Sequence, residues 1–175
     1  MNGPEFSRPV RIDTLGETPH RLAIEADEGE RAALAKRFGL VAIDRLAARA
    51  SLTRKDGAIR ATGMIEGAVT QSCVATGGPV EAKVEAPFEL MFRPQPDVAA
   101  ADEEIELGER ELDTIFYEGG AVDIGEAAAE TLFLNLDPYP RAPGAGEALS
   151  AAGVKSEEEA GRFAALAGLR DKLKK

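Results

Sequence analysis

Hydrophobic and polar residues alternate most regularly in the middle of the chain. Leu46, Ala48, Ala50 and Leu52 are interleaved with Arg45, Arg49, Ser51 and Thr53, a period of two that predicts a strand with one buried face. Lys55-Asp56-Gly57 is a turn sequence, and alternation then resumes with Ile59, Ala61, Gly63, Ile65, Gly67 and Val69 against Arg60, Thr62 and Glu66. The two runs predict a hairpin. A third run sets Val80, Ala82, Val84, Ala86, Phe88, Leu90 and Phe92 opposite Glu81, Lys83, Glu85 and Glu89. Three neighbouring strands of this kind most simply form an antiparallel meander, whose apolar face needs a covering layer.

The spacing changes on either side. Asp27 with Glu30 forms a capping-box pattern, followed at helical spacing by Ala33, Leu34, Arg37 and Phe38, and Gly39 ends the predicted helix. Asp123 with Glu126 repeats the pattern ahead of Ile124, Ala127, Ala128, Leu132 and Leu136, and Asp137-Pro138 and Pro140 stop that helix. Glu5 to Ile12, His20 to Ala26 and Leu112 to Tyr117 read as extended, and the acid-rich stretch from Pro94 to Arg110 reads as a solvated loop. Pro140 to Gly146 has the composition of a linker that buries little. After it, Ser156 to Glu159 caps a helix bearing Phe163, Leu166, Leu169 and Leu173. These elements predict an α+β fold, an antiparallel β-meander that could close towards a barrel, with two packed helices and a C-terminal helical tail. The predicted division is a single α+β domain over 1–142 and a linker with an amphipathic helix over 143–175.

A chain of 175 residues can bury a core without disulfide or metal staples. No apolar run approaches the roughly 20 residues that cross a bilayer, and Met1 to Arg8 lacks the pattern of an export signal. A cytoplasmic protein without membrane contact is the expectation. The formal charge of −10 opposes polyanion binding through the whole surface and suits a basic partner. Local basic patches are still allowed, and the tail carries Arg162, Arg170, Lys172, Lys174 and Lys175 beside Phe163 and Leu166. That helix is either a recognition element, with an apolar stripe and a basic end, or a solvated helix docked on its own domain.

Candidate chemistry is sparse. Cys73 is the single cysteine and His20 the single histidine. A lone cysteine in a connection between strands is more often a small apolar filler than a nucleophile, and nothing in the sequence brings His20 to it as a base. One cysteine and one histidine fall short of a structural zinc set. The acidic run from Asp97 to Asp113 lacks the glycine-centred spacing of a calcium loop. Gly77-Gly78 and Gly119-Gly120 do not follow a phosphate-loop pattern and read as turns. The residues therefore predict no catalytic group, metal or cofactor. The alternative is a small hydrolase or transferase using Cys73 or a carboxylate pair such as Asp113 and Glu118.

Four segments together carry a resemblance. They are Cys73 to Val80 with Thr76 and Pro79, the turn Tyr117-Glu118-Gly119-Gly120-Ala121-Val122-Asp123-Ile124-Gly125, the helix from Glu130 to Leu136 that ends in Asp137-Pro138-Tyr139-Pro140, and the terminal Phe163 to Leu169. In this order they resemble the YceD family, the large ribosomal RNA subunit accumulation proteins, from about Phe6 onward. Many relatives have a second cysteine three residues after the first, where this chain has Thr76, so a metal role proposed for such relatives is in doubt here. The resemblance implies no catalytic residues. It implies a non-enzymatic ribosome-biogenesis factor that supports accumulation or processing of the large-subunit (23S) rRNA. Its partner would be a large-subunit precursor, a ribosomal protein or an rRNA-processing enzyme, with direct RNA contact left open. Partner-binding residues are expected in the tail: Phe163, Leu166, Leu169, Arg170, Lys172, Lys174 and Lys175. A low aromatic content of 5% disfavours base-specific recognition by stacking.

Overall fold

The structure, a computed structural model, describes residues 4–95 and 114–154. The alternating runs become three long strands, β3 (Ala42–Lys55), β4 (Ala58–Ser72) and β5 (Pro79–Pro94). Asp56 and Gly57 join the first two with φ of 51° and 81°. Left-handed backbone at both positions is the type I′ turn, whose twist matches that of the strands it links. The β3–β4 register is antiparallel from Lys55↔Ala58 to Ala42↔Thr70, and a shift between Ile43 and Arg45 marks a bulge that bends the strand. β5 lies next to β4, and the link 73–78 is far too short for a parallel crossover, so this pair is antiparallel as well.

Two shorter strands complete the sheet. β2 (His20–Glu25) pairs antiparallel with β3, and β6 (Thr114–Tyr117) pairs parallel with β5. The five-stranded order is β2-β3-β4-β5-β6, which leaves β2 and β6 as edges, so the sheet is not closed into a barrel. A separate two-stranded sheet joins β1 (Pro9–Arg11) to β7 (Ala121–Asp123). The hydrophobic pattern does not predict β7, because three residues are too few to show a period.

Helix α1 (Glu28–Phe38) starts with the predicted capping box in full, and Gly39 ends it in the left-handed conformation. Helix α2 (Ile124–Leu134) has only half of its predicted box. Asp123 accepts from the N–H groups of Gly125 and Glu126, whereas the Glu126 carboxylate faces Arg37, 2.6 Å away. A charge-assisted bond to a guanidinium outcompetes a neutral backbone N–H for that carboxylate. Both helices pack on β3, over the face where Leu46, Ala48, Leu52, Ile59, Ala61, Ile65 and Val69 are buried. Gly67 sits directly under Leu132, so that a Cβ there would lie 2.5 Å from Leu132 Cδ1. The missing side chain is what lets α2 reach the sheet.

The described residues fall into two compact units. One consists of the residues up to Gln71 together with Glu81–Asp137, and the other of Ser72–Val80 together with the chain from Pro138 onward. The second unit contains a short helix, α3 (Ala145–Ala151). Composition predicts that Pro140 to Gly146 buries little, yet Pro140 and Ala145 are both buried. The Pro140 carbonyl accepts from Val74 N–H at 2.9 Å, a pairing of distant segments that composition cannot reveal. The acidic run from Asp97 to Asp113 and the tail helix from Ser156, including Phe163, Leu166, Leu169, Arg170, Lys172, Lys174 and Lys175, lie outside the described residues.

Candidate functional site

The segment 73–78 closes a tight loop between β4 and β5. Cys73 N–H donates to Gly78 O at 2.7 Å, and Gly77 N–H donates back to Cys73 O at 2.8 Å. These bonds turn the Cys73 side chain inward, where it is 3% exposed. Its Sγ accepts from Ala142 N–H at 3.3 Å and from the Thr76 hydroxyl. These donors, the Thr76 hydroxyl most strongly, and the backbone N–H groups of Ala75 and Thr76 favour the thiolate, and against the opposing effect of burial they bring the Cys73 pKa down to about 7. Thr76 also orders the loop, because its Oγ1 accepts from Gly78 N–H at 3.3 Å. Pro79 is exposed at the first position of β5, where its lack of an N–H costs no ladder bond.

Thus Thr76 supplies a donor to the sulfur of Cys73. None of these donors to the sulfur, the Thr76 hydroxyl and the backbone N–H groups of Ala75, Thr76 and Ala142, is a general base. Among the described residues no three His, Cys, Asp or Glu side chains assemble into a possible metal cluster. His20 is exposed at the start of β2, Glu118 is exposed in the turn after β6, and Asp113 lies outside the described residues.

A test of the thiol follows from linkage. A pKa lowered from the ordinary 9.0 to about 7 in the folded protein stabilises the fold fully above the unfolded value and loses that contribution as pH falls through the folded one. Wild type should therefore gain melting temperature over Cys73→Ser as pH rises from about 7 to about 9. Burial should also keep alkylation of the native thiol slow. Equal melting curves across that range would show that the sulfur's hydrogen bonds contribute nothing to stability.

Tyr117, Gly119 and Asp123 organise the other predicted segment. Tyr117 ends β6, and its hydroxyl donates to Gly57 O at 3.4 Å, across to the tip of the β3–β4 hairpin. Gly119 takes φ of 78° in the turn to β7, and the neighbouring Gly120 O accepts from Ile12 N–H at 3.0 Å. Asp123 is a junction. Its carboxylate caps α2 through Gly125 N–H at 3.0 Å and Glu126 N–H at 3.2 Å, and it also accepts from Arg8 N–H at 2.8 Å and the Ser7 hydroxyl at 2.5 Å. Glu130 is exposed on α2. Asp123 is accordingly a structural anchor, and Glu130 points to solvent.

Sequence reasoning missed the outer face of the sheet. The register places Arg21, Ser51 and Thr62 in one row, Ala23, Arg49 and Met64 in the next, and Glu25, Ala47 and Glu66 in a third, followed by Arg45 beside Ala68. Arg60 lies opposite Thr53 on the same face. Two adjoining depressions, about 230 Å³ and about 580 Å³, run over these rows. All four arginines are exposed. The signal was in the polar half of the alternation, where arginine recurs at 45, 49 and 60, but solvated strand faces are commonly charged and a single strand does not show which rows meet.

The meander thus carries two helices on one face and exposed arginines on the other. The chain belongs to the YceD family: the family model described as "Large ribosomal RNA subunit accumulation protein YceD" matches residues 61–170. The match starts within β4 and includes the Cys73 loop and Asp123. No curated protein and no solved structure matches the chain. The family's description connects it with the large-subunit rRNA and names no enzymatic activity. Among the described residues no helix is long and apolar enough to cross a membrane.

Proposed function

We propose that this protein is a non-enzymatic, cytoplasmic ribosome-biogenesis factor that supports accumulation or processing of the large-subunit rRNA by binding an assembly intermediate. Membership of the YceD family carries this reading. The absence of a base among the sulfur's partners agrees with a thiol used to hold a loop. The partner is a large-subunit precursor, a ribosomal protein or an rRNA-processing enzyme. The proposed arm is 143–175, attached to a domain over 1–142. The test is affinity purification of the full chain from cells, with RNA and protein identified with and without nuclease. Enrichment of large-subunit precursor rRNA is expected, and recovery of neither that RNA nor large-subunit proteins would overturn the reading.

The tail supplies a second measurement. Replacing Lys172, Lys174 and Lys175 by Glu should weaken co-sedimentation with precursor particles and flatten its salt dependence, since each lost phosphate contact no longer releases counterions. Phe163→Ser with Leu166→Ser tests the apolar stripe separately. Wild-type sedimentation of both variants would remove the tail from the binding surface.

A further inference from the structure

On the basis of that reading, we propose that the outer face of β2–β4 binds the phosphate backbone of single-stranded RNA, independently of base sequence. On the face of β2–β4 the four arginines outnumber the two carboxylates, Glu25 and Glu66, within a strongly acidic chain. Arg21, Arg45, Arg49 and Arg60 project from it, and the chain as a whole carries −10. Glu66 contacts both Arg45, at 3.2 Å, and Arg49, at 3.4 Å. One carboxylate thus holds two guanidiniums side by side while neutralising only one of them. Arg21 makes no ion pair among the described residues, and Arg60 meets the exposed Glu89 at 2.7 Å, a rim pair that water and salt screen readily. The guanidinium fork matches phosphate oxygens two at a time. Holding two such forks in place before binding lowers the ordering cost of engaging a strand.

The floor between the arginines suits a flat ligand. Successive rows lie about 6.8 Å apart along the strand, and the positions between the arginines are held by Ala23, Ala47, Ser51 and Thr62, with Glu25 and Glu66 at the two ends of the Ala47 row. Met64 rises at the centre, 45% exposed. A thioether offers polarisable apolar contact without hydrogen-bond selectivity, so a base can lie against it whatever its identity. The small side chains keep the adjoining depressions open. The scarcity of aromatic residues excludes a stacking platform of the usual kind and leaves charge as the main source of affinity, which is why the expected occupant is a strand read by its backbone.

The experiment is fluorescence anisotropy of labelled polyuridylate and of a labelled mixed-sequence strand with the full chain, over a salt series. Wild type should bind both with similar affinity. Arg21→Glu with Arg49→Glu should lose at least about tenfold at about 0.1 M salt and reduce the salt slope by about 1.4, at about 0.7 for each of two contacts. Arg21→Gln with Arg49→Gln should lose less, and Lys36→Glu on the exposed side of α1 should bind as wild type does. Matching melting curves exclude unfolding as the cause. The proposal is overturned if wild type does not bind the strands, if the double reversal binds as wild type, or if the face captures an acidic peptide in preference to RNA. Co-purification of precursor particles by a protein that binds no free strand would sink this surface while leaving the biogenesis role intact. Strand binding without any precursor in the cell purification would do the reverse.

Discussion

Gly63→Ala should lower the unfolding free energy by about 3 kcal/mol or more, at the upper end of what overpacking costs. A Cβ on Gly63 would lie 2.1 Å from the Arg49 carbonyl oxygen and 2.6 Å from Phe88 Cζ. The ring could turn aside at the expense of its own packing, since Phe88 is buried in the core. The carbonyl belongs to β3 and cannot move without opening the β3–β4 ladder beside the Ala50↔Gly63 pair. Urea or thermal unfolding followed by circular dichroism measures the loss. Gly16→Ala is the control, because nothing lies within 4 Å of a Cβ there and its φ is not in the left-handed range, so its effect should stay within about 0.5 kcal/mol. A Gly63→Ala protein as stable as that control would show that the strands separate more readily than their register implies.

Asp123→Ala should cost about 2 to 4 kcal/mol, for a different reason. Loss of an N-cap alone costs about 0.5 to 2 kcal/mol. Here the same carboxylate also receives Arg8 N–H and the Ser7 hydroxyl, and each partly buried donor left without an acceptor adds to the penalty. Asp123→Asn keeps an acceptor for the backbone groups and should recover at least half of the loss. Equilibrium unfolding of the three proteins at one pH decides the matter, and an alanine variant within about 0.5 kcal/mol of wild type would remove the junction role.

These two sites also show where sequence reading works. The alternation of Leu46, Ala48, Ala50 and Leu52 and of Ile59, Ala61 and Ile65 predicts which face is buried, because a period of two is a local property of the backbone. The cap at Asp27 is equally local. Gly63 falls on the apolar face of its run, but the atom it must avoid belongs to another strand. Asp123 is readable as a helix cap, whereas its bonds to Ser7 and Arg8 join residues more than a hundred positions apart. The Cys73 loop is similar. A turn at Gly77-Gly78 is visible in the sequence, but the donor from Ala142 is not. The arginine face needs the register of β2, β3 and β4 before its rows exist at all. What was legible was short-range periodicity and capping. What was not was every property made by two segments meeting.

The pairing of β1 with β7 has a consequence for the order of events during synthesis. Pro9 to Arg11 leaves the ribosome before any residue of Ala121 to Asp123 has been made, so β1 waits without its partner while the β3–β4 hairpin closes locally. The anchor of Ser7 and Arg8 on Asp123 spans 116 and 115 residues, among the long-range closures that slow folding. Until then α2 lacks part of its N-terminal support, and the buried Phe6 has yet to reach its place. Locking of the amino-terminal strap is therefore a late step, and amide protons around Val10 and Val122 should acquire protection after those of Ala50 and Ile65.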